Sequence, residues 1–337
     1  MTLGLSVLLF IGIGIIIAVA GYYLVRLADQ LADITGIGEA FFGAVLLGAI
    51  TSLAGIITSV SAAYQGHPEL SISNALGGIA AQTLFLALAD FFHKKANLEH
   101  SSASYENLLV GLLLIIMLCF TLMVVFSPEI SVFKVHPASI VLLLIYYAGN
   151  SLIQKAKKVP MWYPRSTLET VQDKPDAENL KKTNLYQLWL MFIGLAIVVG
   201  LSGYGIAELG ISIAGKTGLS EGLVGSLFTA VVTSFPELIV TIAAIRQGAL
   251  TLAVANIIGG NSFDILFLSF SDIAFREGSI YHAFGQEQIY VLLLTLMLTA
   301  ILISGLLIRQ KEGIIKIGWE TALIIITFIS GYLTLYA

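Results

Sequence analysis

Ten predominantly apolar runs divide this chain, each near the ~20 residues that a helix needs to cross the hydrocarbon core of a bilayer. They lie at 3–26, 36–65, 70–92, 106–126, 138–154, 184–208, 218–246, 250–272, 287–308 and 317–336. The second and seventh exceed one crossing, which predicts a tilted or broken helix. Only 11% of the 337 residues are charged and 57% are apolar, against about 25% charged in a soluble domain. A chain so apolar cannot cover its surface for water, so lipid is its expected solvent and partner. The first run lacks a basic leader, and Gly21-Tyr22-Tyr23 before Arg26 is a poor cleavage context; it reads as a retained helix. The single Cys119 leaves no partner for a disulfide.

The basic residues orient the runs. With the N-terminus outside and ten crossings, Arg26, Lys94, Lys95, Lys155, Lys157, Lys158, Arg165, Lys174, Lys181, Lys182, Arg246, Arg309, Lys311 and Lys316 all fall inside. Only Lys134, Lys216 and Arg276 fall outside. The positive-inside bias therefore predicts a multi-pass protein of the cell membrane with both termini outside and the 155–183 loop in the cytoplasm. That loop, the one long polar stretch, reads as a linker between a first unit (1–154) and a second (184–337).

The two units are related. A shift of 182 residues lays Gly21-Tyr22 on Gly203-Tyr204, Thr35-Gly36 on Thr217-Gly218, Glu39 on Glu221 and Gly43 on Gly225. The same shift lays Thr51-Ser52 on Thr233-Ser234, Gly66 on Gly248, Asn74 on Asn256, Gly77-Gly78 on Gly259-Gly260 and Asp90 on Asp272. Apolar helices match by composition alone, but Gly, Thr, Asn and acidic positions at one constant offset do not. Five helices per unit is odd, so the units are expected upside down relative to each other. The predicted fold class is an all-α integral membrane protein of ten transmembrane helices in two inverted five-helix repeats. Secondary transporters use that architecture, with ion sites near the midplane where broken helices of the two halves meet.

Polar residues within the apolar runs gather in one window per half. The second reads Thr233-Ser234-Phe235-Pro236-Glu237, then Asn256-Ile257-Ile258-Gly259-Gly260-Asn261-Ser262-Phe263-Asp264. A carboxylate at such depth is costly unless it faces protein, water or a cation, so Glu237 and Asp264 read as functional. Pro236 withholds a backbone donor and frees a carbonyl near Val232. Carbonyl, hydroxyl and carboxylate oxygens are what hard cations such as Na+ and Ca2+ take as ligands. The blander reading, protonated or hydroxyl-bonded packing groups, stays open at this level.

These segments resemble the second α-repeat of the calcium/cation antiporter superfamily, the sodium/calcium exchangers and their relatives, and the resemblance covers nearly the whole chain. It implies cation ligation by Thr233, Ser234, Glu237, Asn261 and Asp264, with Na+ and Ca2+ alternating in overlapping sites. The first window departs from the family pattern. Where Thr-Ser-Leu-Pro-Glu is expected stands Thr51-Ser52-Leu53-Ala54-Gly55, so the first-half glutamate is missing. The first-half Asn is Ile79, Gln82 replaces a later Asn or Asp, and Gly78 and Gly260 stand for the family's Ser. Thr51, Ser52, Asn74 and Gln82 remain as neutral donors, and the site keeps two negative charges, both from the second half.

Weaker signals have plainer explanations. Glu39 and Glu221 read as favourable charges at helix N-termini. Asp90 and Asp272 read as interface-solvated or vestibule groups, Gly66-His67-Pro68-Glu69 as an outside turn, and Lys94, Lys95 and the Lys155–Lys158 cluster as lipid anchors. Trp162 and Tyr163 are expected at the cytoplasmic interface. No phosphate-binding loop, metal-His cluster or nucleophile triad is visible, so neither an enzyme nor a cofactor nor a nucleic-acid partner is expected; a homo-oligomer is compatible with the sequence. The expectation is a secondary antiporter of Ca2+ against Na+ or H+. A monovalent Na+/H+ antiporter and a non-transporting ion sensor are the alternatives.

Overall fold

The computed structural model describes residues 1–35, 49–93, 96–102, 104–168, 170, 184–311, 313 and 318–336. Helices in chain order are α1 (Leu3–Thr35), α2 (Leu53–Tyr64), α3 (Pro68–Asp90), α4 (Leu98–Ser101), α5 (Tyr105–Val125), α6 (Pro137–Lys158), α7 (Leu185–Thr217), α8 (Glu221–Thr233), α9 (Phe235–Gln247), α10 (Leu250–Asp264), α11 (Phe267–Ala274), α12 (Gln286–Ile308) and α13 (Trp319–Tyr336). Among the described residues eight helical stretches are long and apolar enough to cross a membrane, and α8 with α9 forms a ninth, bent by 45°. The bend is what the over-long seventh run predicted. The expected second run is described from residue 49 onward and continues as α2. Glu39, Gly43, Lys94, Lys95, Lys316 and the stretch 171–183, with Lys174, Lys181 and Lys182, lie outside the described residues.

Helix position follows from how much of each helix is apolar and small. In α3 nearly every side chain from Leu70 to Asp90 is buried, so this helix is wrapped on all sides by protein. It forms the main core with α5, α10, α12 and α13, through residues such as Leu76, Ile79, Leu114, Ile257, Leu292 and Leu298. The two 33-residue helices α1 and α7 pack on each other instead and build a second cluster from Phe10, Ile17, Leu24, Val199, Ile206 and Ile213. Their outer faces expose Leu8, Ile15, Ile197 and Leu201, which suits contact with lipid. At 1.5 Å per residue each is about 50 Å long, beyond the ~30 Å hydrocarbon core, so each tilts or projects.

The sequence repeat reappears as matched geometry. Ser52 (φ −91°, ψ 10°) and Ser234 (φ −95°, ψ 6°) break their helices at equivalent places. Pro236 lacks the N–H that would bond Val232, but Ala54 stands at the equivalent first-half position and the break is present there too. Proline alone therefore does not make it. At both breaks a long helix crosses closely. A Cβ on Gly21 of α1 would lie 2.9 Å from Pro236 Cβ, and one on Gly203 of α7 would lie 3.1 Å from Ala54 Cα. Thr58 Oγ1 also donates to the Gly203 carbonyl at 2.8 Å. Only glycine lets α7 lie this near the α2 backbone.

Asp90 and Asp272 correct the sequence reading. Both are fully buried, not solvated at an interface. Asp90 accepts from the Leu98 amide (2.7 Å), Thr321 Oγ1 (3.2 Å) and the Gly318 amide (3.5 Å). Asp272 accepts from the Ile280 amide (3.0 Å), Ser139 Oγ (2.8 Å) and the His136 amide (2.7 Å). Every donor is shifted by the same 182 residues as the aspartates themselves. Each aspartate thus ties the end of one helix to the next loop and to the start of the last helix of a half.

Loops also sort to two ends. His67 Nδ1 meets Glu221 Oε1 at 2.6 Å, Ser220 Oγ donates to Glu287 at 2.8 Å, and His282 Nε2 meets the Ser127 carbonyl at 2.8 Å. At the other end Arg309 donates to the carbonyls of His100 and Arg165, and His100 meets the Arg309 carbonyl. Segments assigned to the same side by charge therefore touch one another.

Candidate functional site

The two breaks, α3 and the end of α10 converge on one buried cavity. Its walls are Ser52, Gly55, Asn74, Gly78 and Gln82 from the first half, with Thr233, Ser234, Glu237, Asp264 and Phe267 from the second. It offers about 10 Å³ to the centre of a water-sized sphere, which is room for one water or one dehydrated cation.

Local structure positions each polar group. Ser52 and Ser234 sit at the breaks, where the helix backbone turns aside, and Glu237 is in the first turn of α9. Asp264 ends α10, just before the Ile265–Leu266 turn, and Phe267 opens α11. Ser52 Oγ donates to Asp264 Oδ1 at 2.5 Å and Gln82 Nε2 to Asp264 Oδ2 at 2.6 Å. Gln82 Nε2 also reaches Ser234 Oγ at 3.4 Å. Gln82 and Asp264 are equivalents in the repeat, so this bond joins the halves at the centre of the relation.

Two carboxyl groups, 1% and 2% exposed, thus share a space whose other walls are hydroxyls, amides, glycine and a ring. Among the described residues no Lys, Arg or His lines the cavity. Glu237 Oε2 and Gln82 Oε1 are buried and have no hydrogen-bond partner. A buried anionic oxygen in that condition is expensive unless a proton or a cation meets it. The donor set, all oxygen and bearing up to two negative charges, is chemically suited to hard cations such as Na+ and Ca2+.

Of the residues singled out from sequence, the structure gathers Ser52, Gln82, Thr233, Ser234, Glu237 and Asp264 around the cavity. Thr51 and Asn261 are buried nearby but not in its wall. Asn261 Nδ2 donates to Thr83 Oγ1 at 3.0 Å, while its Oδ1 has no partner. Asn74 lines the cavity yet is occupied by protein. It donates to Ser59 Oγ (2.9 Å) and the Gly55 carbonyl (3.3 Å) and accepts from Thr229 Oγ1 (2.7 Å). Its repeat equivalent Asn256 donates to Thr241 Oγ1 at 3.1 Å, the same clip in the other half. Phe267 was not foreseen, because one Phe among apolar residues carries no sign of the face it takes.

A cavity of oxygen ligands and carboxyl groups, enclosed at helix breaks inside an apolar bundle, places the molecule among membrane transporters. The chain belongs to the sodium/calcium exchanger protein family, whose model matches residues 5–155 and 187–336. It is 25% identical over 305 residues to the putative antiporter CaxA of Alkalimonas amylolytica, covering 90% of each chain. To the sodium/calcium exchanger MaX1 of Methanosarcina acetivorans it is 29% identical over 134 residues, 40% of this chain and 38% of that one. The fold resembles the crystal structure of the H+/Ca2+ exchanger CAX, with TM-score 0.71 and 16% identity over 97% of this chain and 82% of that one. It also resembles the sodium-calcium exchanger NCX_Mj, with TM-score 0.60 and 20% identity over all of both chains.

Proposed function

We propose that this chain is a secondary antiporter that carries Ca2+ across the cell membrane in exchange for Na+ or H+. The observation that carries the reading is the convergence of Glu237 and Asp264 with Ser52, Gln82, Thr233 and Ser234 on one buried cavity between the halves. Two carboxylates match the charge of one Ca2+; with a monovalent ion in its place, a proton balances the remaining charge. Thr51 and Asn261, a short way behind the wall, complete the proposed ligand set through rearrangement or relayed bonds. The names of CaxA, MaX1 and the solved exchangers support antiport of this kind. No cofactor enters this scheme.

In this account ten crossings form two inverted five-helix halves, with both termini outside and the central loop in the cytoplasm. The matched breaks at Ser52 and Ser234, the matched aspartate ties and the sorting of loops to two ends support it. The α1–α7 pair, with a hydrophobic cluster of its own, moves against the site-bearing bundle to open the cavity to one side and then the other. A second reading, Na+/H+ exchange without Ca2+, draws on the one-sided charge, since among the described residues the first half contributes no carboxylate to the cavity.

The test is radioactive Ca2+ uptake into proteoliposomes loaded with Na+ at neutral pH, or acid-loaded without Na+. Uptake driven by either gradient and abolished in Glu237→Gln supports Ca2+ antiport and identifies the counter-ion. A proton flux coupled to Na+, with no Ca2+ uptake under either gradient, moves the assignment to the monovalent reading.

A further inference from the structure

The internal repeat assigns Gly55 the place that Glu237 holds in the second half, so the backbone there stands ready to present a side chain to the cavity. None fits. A Cβ built on Gly55 would lie 2.7 Å from Cε2 and 3.1 Å from Cζ of Phe267, where ordinary carbon contacts are about 3.5–4.0 Å. Phe267 is 3% exposed and lines the same cavity. Its ring stands at the start of α11, placed there by the Ile265–Leu266 turn that directly follows the ligand-bearing Asp264. Glu237 Oε2 and Gln82 Oε1 stand in the same wall without a hydrogen-bond partner. The remaining space admits one water-sized occupant.

We propose that Phe267 is a specificity-determining residue: its ring fills the volume that a first-half carboxylate would take and so restricts the cavity to a single cation. One Ca2+ then neutralises Glu237 and Asp264, and one Na+ enters together with one proton. This inference rests on the cation-binding reading above. It goes beyond that reading by fixing the number of ions per cycle and naming the side chain that limits it. The restriction is steric, so enlarging the space and adding charge are separable operations.

The experiment is equilibrium binding of radioactive Ca2+ to the purified full chain in detergent, with Na+ as competitor. The variants are Glu237→Gln, Phe267→Ala, Gly55→Glu and the double Gly55→Glu/Phe267→Ala. Wild type is expected to bind one Ca2+ that Na+ displaces with a Hill coefficient of about 1, and Phe267→Ala is expected to raise that coefficient toward about 2, since the coefficient is bounded by the number of sites. Gly55→Glu alone, meeting the ring, is expected to lower the melting temperature without tightening Ca2+. Relieved of the ring, the double variant gains a third carboxylate and is expected to bind Ca2+ at least about tenfold tighter, as affinity rises with ligand charge.

If Phe267→Ala leaves the Hill coefficient at the wild-type value while Glu237→Gln still abolishes binding, the ring is packing only and the proposal falls alone. Should the double variant melt at too low a temperature to be assayed, the Phe267→Ala coefficient decides by itself. A wild-type protein that binds neither ion, with Glu237→Gln no different, overturns the cation-site reading and this inference together.

Discussion

Replacing Asp272 with alanine should cost this protein much of its stability without touching the cavity. The carboxyl is fully buried and accepts three bonds, two from the backbone amides of His136 and Ile280 and one from the Ser139 hydroxyl, at 2.7–3.0 Å. Alanine strands both amides, and a buried donor left unmade costs about 1–3 kcal/mol. The Ser139 hydroxyl can turn its one proton to Tyr281 Oη, 3.2 Å away, so it adds little. The expected loss is therefore about 2–6 kcal/mol, with asparagine falling between wild type and alanine because it retains one acceptor. Asp90→Ala strands the Leu98 amide in the same way, but its Gly318 bond is already long at 3.5 Å. Its loss should be the smaller of the two. The assay is reversible denaturant titration in mixed micelles, run on both alanine variants side by side. A loss below about 1 kcal/mol for Asp272→Ala, or a larger loss for Asp90→Ala, would refute the view that these aspartates are backbone ties.

Three further outcomes are expected. Gly203→Val should jam α7 against Ala54, costing about 1–3 kcal/mol as overpacking does and slowing transport; a variant with wild-type melting and flux would contradict the close crossing. Glu99, in the loop helix α4, is fully buried, and burial together with the Asp90 and Glu320 carboxylates pushes its carboxyl well above the usual range. A raised acid stabilises the folded state below its unfolded pKa of about 4.3, and that stability is lost as pH rises toward the folded value, at about 1.4 kcal/mol per pH unit. Glu99→Gln should abolish this pH slope and leave the chain more stable than wild type at neutral pH, as denaturation at pH 5 and pH 8 would reveal. In a Cys119→Ser background, Lys134→Cys should react with an impermeant maleimide from outside intact cells and Lys158→Cys only after permeabilisation; the reverse pattern would invert the proposed orientation.

The sequence announced much of this because membrane insertion imposes strong rules on it. Apolar length gave the helices, and the constant spacing of Gly, Thr, Asn and Asp gave the relation between the halves. The same spacing led to the cavity, since an intramembrane Glu237 or Asp264 is too costly to be incidental. Other features were hidden for definite reasons. Asp90 and Asp272 stand at the ends of apolar runs, where hydropathy cannot separate a solvated group from a buried one that ties two loops. Glu99 and Glu320 are far apart in the chain, and only the folded structure makes them neighbours. At Ser52 the helix breaks without a proline, where α7 crosses close by, so no local residue signals it. The Gly55 departure was plain in the sequence, but that Phe267 fills the space was a matter of three dimensions alone.

In the proposed antiport, Glu237 and Asp264, held between the halves, bind the carried cation. Equilibrium Ca2+ binding to wild type, Glu237→Gln and Asp264→Asn tests it most directly. Wild type is expected to bind one Ca2+ per chain, and each variant to lose at least about tenfold in affinity, since removing one of two ligand charges weakens a Ca2+ site sharply. Undiminished Ca2+ binding in both variants would contradict it.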